Sequence, residues 1–89
     1  MDSSEICRAA LAKWGPVKQT IMAFEEMSEL QKELCKNQRG AKNKGAIAEE
    51  IADVLVVLEQ MVILHDCERA VICFREQKLK RLKERIEGA

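Results

Sequence analysis

The sequence predicts an all-α fold, an antiparallel helical bundle of about four helices that homo-oligomerisation completes. Apolar residues recur every three or four positions along most of the chain, as they do on one face of a helix. Helix breakers are few, with 4 Gly and 1 Pro in 89 residues. No stretch shows the alternation typical of a half-buried strand. At this length we expect one domain, residues 1–89.

Breakers and capping residues divide the chain into four helical segments. Gly15-Pro16 ends the first and starts the second, and the segment 38–45, rich in Gly, Asn and cations, predicts a flexible loop before the third. Asp66 is the expected cap of the fourth. The first predicted helix starts behind Asp2, Ser3 or Ser4, any of which can cap it, and ends at about Trp14. The others run from about Val17 to Asn37, from about Ala46 to Leu64 and from about Glu68 to Glu87.

The third and fourth predicted helices each carry two seams at heptad spacing. The second seam of helix 3 begins with Glu50 and Asp53 and turns apolar, whereas that of helix 4 begins apolar and ends basic. An antiparallel hairpin of the two would set Lys78 level with Val57, and Arg81 beside the acids. Because an 89-residue monomer can cover such faces only in part, we expect a homodimer or homotetramer.

Composition disfavours several classes of function. Fifteen basic and fifteen acidic residues cancel, so we expect no polymeric nucleic acid as a partner. The longest apolar run, Val54 to Leu58, is too short to cross a bilayer, so no membrane partner is expected either. The cysteines lack C-x-x-C spacing and the N-terminus lacks the apolar run of a signal peptide, which together predict reduced thiols and a cytoplasmic location.

Two acidic steps, Glu25-Glu26-x-x-Glu29 and Glu50-x-x-Asp53, lie on the second and third predicted helices. Residues three apart share a helix face, so closing these helices into a hairpin would bring at least four carboxylates together. Two like charges about 5 Å apart repel by roughly 3 kcal/mol at an effective dielectric near 20, and an exposed ion pair returns only about 0.3 to 0.5 kcal/mol. A divalent cation offsets more, and ligands that are all oxygen suit Mg²⁺ or Mn²⁺.

These acidic steps, with twenty residues between them, resemble the EExxE and ExxD motifs of the MazG-like nucleotide pyrophosphohydrolases, in the all-α NTP pyrophosphatase superfamily. The resemblance extends upstream to Ala12-Lys13-Trp14-Gly15 and downstream to Lys78-Leu79-Lys80-Arg81, which is similar to the basic segment in the last helix of these proteins. It covers nearly the whole chain. The sequence differs from some relatives in lacking an asparagine in the fourth helix.

The resemblance implies Mg²⁺-dependent hydrolysis of a nucleoside triphosphate, NTP or dNTP, to the monophosphate and pyrophosphate. It implies metal ligation by Glu26, Glu29, Glu50 and Asp53, and phosphate contacts from Lys78 and Arg81. The reaction also needs a base for the attacking water, for which the candidates are Glu25 and Glu49.

Two other interpretations stay open. One is a non-catalytic helical oligomerisation or regulatory module, in which the acids pair with the bases of helix 4 and hold no metal. The other is a nucleotide-sensing module that keeps the fold and the metal but does not hydrolyse its ligand.

Overall fold

A computed structural model describes residues 1–88, in which the chain forms four α-helices and no strand. This confirms the predicted all-helical fold class. No helix within that range is long and apolar enough to cross a membrane. The helices are α1 (Ser3–Trp14), α2 (Pro16–Gln38), α3 (Lys44–Leu64) and α4 (Glu68–Gly88).

The α1–α2 corner is made by residues that end one helix and begin the next. Gly15 has φ 89°, a value that residues with a side chain rarely adopt, and its N–H donates to the carbonyl of Leu11. Pro16 occupies the first position of α2, where its missing N–H costs no hydrogen bond. At the other end of α1, Asp2 is the cap, because its Oδ1 accepts from the backbone N–H of Glu5 at 2.8 Å.

The loop between α2 and α3 is shorter than predicted and is tied to α2 by the side chains of Asn37 and Asn43. Asn43 Nδ2 donates to the carbonyl of Glu33 at 2.8 Å and to Glu33 Oε1 at 3.2 Å. Lys44, which the sequence placed in the loop, is the first residue of α3. The Asn43 bonds fix where α3 begins relative to α2.

Helices α2 and α3 pack against each other, and the buried positions between them include two amides. Gln19 Nε2 donates to Gln60 Oε1 at 2.7 Å, and both side chains are buried beside Ala23 and Val57. A buried amide without a hydrogen-bond partner costs free energy, so this bond favours the one register of α2 against α3 in which the two amides meet.

Helix α1 packs on α3, and hydrogen bonds to the Glu59 carboxylate of α3 join the two helices. Glu59 accepts from Ser3 Oγ at 2.9 Å and from the buried Cys7 Sγ at 3.1 Å. Burial, together with the Glu59 carboxylate, raises the pKa of the Cys7 thiol to about 11, so this thiol stays protonated.

Helix α4 does not pack along α3, and here the sequence prediction of a hairpin is wrong for the single chain. Every described residue of α4 is exposed, and α4 touches α3 only. Asp66 adopts a left-handed φ of 47°, and the carbonyl of Cys67, not of Asp66, accepts the first helical bond, from Val71. The expected alignment of Lys78 with Val57 is therefore not formed within one chain.

Candidate metal centre

Three of the predicted ligands meet across the α2–α3 interface. Glu26 comes from α2, and Glu50 and Asp53, three residues apart on one face, come from α3. Each offers one carboxylate oxygen, and these three oxygens lie within 4.8 Å of one another. The hairpin thus brings members of both acidic steps together, but three carboxylates converge where the sequence predicted at least four.

The cluster is partly withdrawn from water. Glu26 and Glu50 are half-buried, and Glu50 Oε2 is inaccessible to solvent and has no hydrogen-bond partner among the described residues. A buried carboxylate oxygen without a partner loses its hydration and receives nothing in return from the protein.

Burial and mutual repulsion raise the pKa of two of these acids. For Glu26 the causes are burial first, then the charges of Asp53 and Glu50, a hydrogen bond with Asp53 and the charge of Glu29. For Glu50 they are burial first, then the charge of Asp53 and those of neighbouring glutamates. Each effect disfavours the ionised carboxylate, so the protein leaves the negative charge of this cluster uncompensated.

No basic side chain relieves this repulsion within residues 1–88. The ion pairs in that range are Lys36 with Glu33 at 3.1 Å and Lys83 with Glu87 at 3.7 Å, and neither includes a member of the cluster. Pairing of the cluster with bases of α4, on which the interpretation as a non-catalytic module depends, is not formed in the single chain.

Glu29, the fourth predicted ligand, lies at the edge of the cluster. Its side chain is exposed and is not one of the three that converge, but its charge acts on both Glu26 and Glu50. Glu25 and Glu49, the predicted bases, are exposed. Of these two, Glu49 contributes to the repulsion on Glu50.

The predicted phosphate contacts lie elsewhere. Lys78 and Arg81 are exposed on α4, and neither contributes to the pKa of Glu26 or Glu50. In the single chain the acidic and basic parts of the predicted site are therefore separate.

Glu33 belongs to this region and was not among the predicted site residues. Hydrogen bonds from Asn43 and Lys36 lower the pKa of Glu33, and its charge in turn raises the pKa of Glu50. The sequence held a signal for it, because Glu26, Glu29 and Glu33 follow one another at steps of three and four. The role of Asn43 had no such signal, since it depends on how the loop closes.

The donor set fits a hard divalent cation. All three converging ligands are carboxylates, and one of their oxygens is buried without a partner. Mg²⁺ prefers oxygen ligands and is held through a few carboxylates, with water or phosphate oxygens completing its shell. No sulfur or imidazole ligand, as zinc would favour, belongs to the group found within the described residues.

Comparisons with protein-family models, with curated proteins and with solved structures found no match to this chain.

Proposed function

We propose that the protein is a Mg²⁺-dependent nucleoside triphosphate pyrophosphohydrolase, which converts an NTP or dNTP to the monophosphate and pyrophosphate. One observation carries the proposal: Glu26, Glu50 and Asp53, from the two motifs that resemble the MazG-like pattern, converge within 4.8 Å with no basic side chain among them. The family resemblance, which rests on these motifs, supplies the reaction.

Glu26, Glu50 and Asp53 would hold the ion, Mg²⁺ or Mn²⁺, with Glu29 at the edge of the site. When bound, the ion would neutralise phosphate oxygens and so favour attack at the α phosphorus. The half-buried position of Glu26 and Glu50 strengthens their attraction for a cation, because less water screens it.

The remaining steps belong to exposed side chains. Glu25 and Glu49, both exposed beside the motif acids, are the candidates to take a proton from the attacking water. Lys78 and Arg81 would steady the departing pyrophosphate, which requires a homodimer or homotetramer that brings α4 to the acids. We propose a cytoplasmic location, in keeping with four cysteines that are all unpaired.

The test is release of pyrophosphate from a panel of canonical and modified NTPs and dNTPs, with Mg²⁺ and with EDTA. We expect release only with the metal. Asp53→Asn should lower turnover by about 100-fold or more, because it removes a carboxylate ligand of the ion that would neutralise the phosphates, while helical content stays unchanged. Asp66→Asn is the matched control, since Asp66 lies in the α3–α4 connection and Asn also tolerates its left-handed φ.

Two results would favour the alternatives. If no nucleotide is hydrolysed but Mg²⁺ and a nucleotide together raise the melting temperature, the protein is a nucleotide sensor. If Mg²⁺ leaves stability unchanged and Asp53→Asn is neutral or stabilising, the acids hold no metal and the protein is a helical oligomerisation module.

A further inference from the structure

Asn43 occupies the capping position of α3 but does not cap it. A capping side chain ordinarily accepts a backbone N–H of the first helical turn, as Asp2 does at the start of α1 at 2.8 Å. The side chain of Asn43 makes no such bond. Its Nδ2 instead donates to the carbonyl of Glu33 at 2.8 Å and to Glu33 Oε1 at 3.2 Å. Asn43 therefore joins α3 to α2 at the expense of the cap.

Neighbouring side chains hold both partners of this contact. Asn37 Nδ2 donates to Asn43 Oδ1 and to the carbonyl of Ala41, each at 3.3 Å. Lys36 Nζ lies 3.1 Å from Glu33 Oε2, the carboxylate oxygen that Asn43 does not use. The N–H of Ala41 also donates to the carbonyl of Lys36 at 3.1 Å, which closes the end of α2. The loop is thus tied back on α2, and Asn43 enters α3 from a fixed position.

The contact between Asn43 and Glu33 lies on the helix faces that carry the acid cluster, on its loop side. Glu33 follows Glu26 by seven residues on α2, and Asn43 precedes Glu50 by seven residues on α3. Seven residues make about two turns, so each pair shares a helix face and is separated by about 10.5 Å along the helix. The contact therefore joins the same two faces that present the carboxylates.

Packing between α2 and α3 is uneven about the cluster. Their buried residues all lie on the side away from the loop, namely Gln19, Ala23, Val57 and Gln60. On the loop side neither helix buries a residue within the described range. Burial therefore aligns the two helices mainly on one side of the cluster, and on the other side the alignment depends on the hydrogen bonds of Asn43.

The carboxylates of the cluster oppose the arrangement that they adopt. Their oxygens lie within 4.8 Å of one another, and neither ion pair of residues 1–88 includes them. Without a cation their mutual repulsion favours moving α2 away from α3. The loop side is where such movement meets the least packing, and Asn43 is the side chain that restrains it there.

We infer that Asn43 is a positioning residue of the candidate metal centre, which holds the Glu50 carboxylate opposite Glu26 before an ion binds. It acts through its bonds to Glu33 and through the start of α3, and not as a ligand. The inference rests on the metal-binding part of the proposed function and not on hydrolysis. Ligands that are already in place lose less freedom on binding, so removing the contact should weaken cation binding.

The test measures Mn²⁺ affinity by isothermal titration calorimetry for the wild type, Asn43→Ala and Asn43→Ser. Both variants should bind Mn²⁺ about 10-fold more weakly, the lower end of the loss expected when groups that orient metal ligands are removed. A serine side chain is too short to keep the bonds to Glu33, but serine is among the preferred caps. Without divalent cations, the melting temperature of Asn43→Ser should therefore exceed that of Asn43→Ala by about 4–8 °C.

Asp2→Ala is the matched control. It removes a helix cap from α1, which contributes no member of the cluster. It should lower the melting temperature by about 4–8 °C and leave the Mn²⁺ affinity unchanged. A merely structural role of Asn43 would instead make affinity follow stability in all three variants.

The outcomes separate this inference from the proposed function. Wild-type Mn²⁺ affinity in Asn43→Ala would overturn the inference, as would recovery of affinity together with stability in Asn43→Ser, or an equal loss of affinity in Asp2→Ala. A wild type that binds no divalent cation would overturn the inference and the proposed function together. A wild type that binds Mn²⁺ but hydrolyses no nucleotide would contradict the proposed function alone, and weaker binding by the two Asn43 variants would still support the inference.

Discussion

Helices α3 and α4 have the same length and the same kind of apolar periodicity, yet one is packed and the other is bare. Helix α3 buries Val57 and Gln60 against α2, whereas α4 has no buried residue among those described. The comparison teaches that an apolar stripe shows which side of a helix needs cover, but not whether the cover comes from the same chain.

The charges of the two helices differ in the same way. The acids of α3 lie in a half-buried cluster with Glu26, with no cation beside them, whereas the cations of α4 stay in water. Complementary charges in one sequence therefore do not have to meet in one chain.

Cysteine labelling should give the largest contrast between the packed helices and α4. The pKa of Cys7 rises from an ordinary value of 9.0 to about 11, which lowers its thiolate fraction near neutral pH by about 100-fold, and burial slows access further. Cys73 on α4 is exposed and should react at the rate of an unprotected thiol. Mass spectrometry of time points with a thiol-specific reagent measures both rates. Equal labelling rates for Cys7 and Cys73 would contradict the burial of Cys7 between α1 and α3.

Removing two methyl groups from a buried valine should cost more stability than the same change on α4. Val57→Ala should lower the free energy of unfolding by about 2 kcal/mol, because it leaves a gap between α2 and α3. The matched change on α4, Val71→Ala, should cost less than about 0.5 kcal/mol at concentrations where the chain is monomeric. Urea titrations of the two variants measure the difference. Similar losses would mean that α4 is packed within the single chain.

Breaking the buried amide pair should have a smaller effect. Gln60→Leu leaves the Nε2 donor of Gln19 without its acceptor and should cost about 1–2 kcal/mol in unfolding free energy. Gln77→Leu makes the same change on exposed α4 and should be nearly neutral at the same dilution. Urea titration again provides the comparison, and a neutral Gln60→Leu would show that water satisfies Gln19.

The pH dependence of the free energy of unfolding should give the smallest difference between the acid cluster and α4. The pKa of Glu26 is raised above 4.5 in the folded chain, so the folded state binds more protons than the unfolded state just above pH 4.5. The free energy of unfolding should therefore fall as pH rises through that window, without divalent cations. Glu26→Gln should reduce this slope, whereas Glu84→Gln on α4 should keep it.

A slope that is unchanged in Glu26→Gln would contradict the repulsion inferred for the cluster. Glu33 acts in the opposite sense and in a lower window, because its pKa is lowered below 4.5 and its contribution is lost only as pH falls through that lower value. Titrations from pH 4.5 to neutral pH therefore report on Glu26 and Glu50 rather than on Glu33.

Local rules predicted most of the helix positions. Gly15-Pro16 gave the first corner, and periodicity placed the end of α3 at Leu64 and the start of α4 at Glu68, although the residue before α4 is Cys67 and not the predicted cap Asp66. The convergence of Glu26 with Glu50 and Asp53 also followed from spacing, because a hairpin of two helices with facing acids has few other arrangements.

The parts that could not be predicted depend on nonlocal geometry. The direction of α4 depends on three connecting residues, one of which, Asp66, adopts a left-handed φ that its sequence neighbours did not signal. The Asn43 bonds to Glu33 depend on the closure of a whole loop. Both are set by a few dihedral angles and not by a repeating pattern.

The Gln19–Gln60 bond has one more consequence, which concerns the alignment of the two central helices. Glu26 lies seven residues after Gln19, and Asp53 lies seven residues before Gln60. Because α2 and α3 run antiparallel, the pair Glu26 and Asp53 lies about two helical turns from the hydrogen-bonded pair Gln19 and Gln60. Sliding one helix by a single turn, about 5.4 Å, would leave both amides unpaired and would separate Glu26 from Asp53. The amide pair thus fixes the register of α2 against α3 in which Glu26 lies beside Asp53.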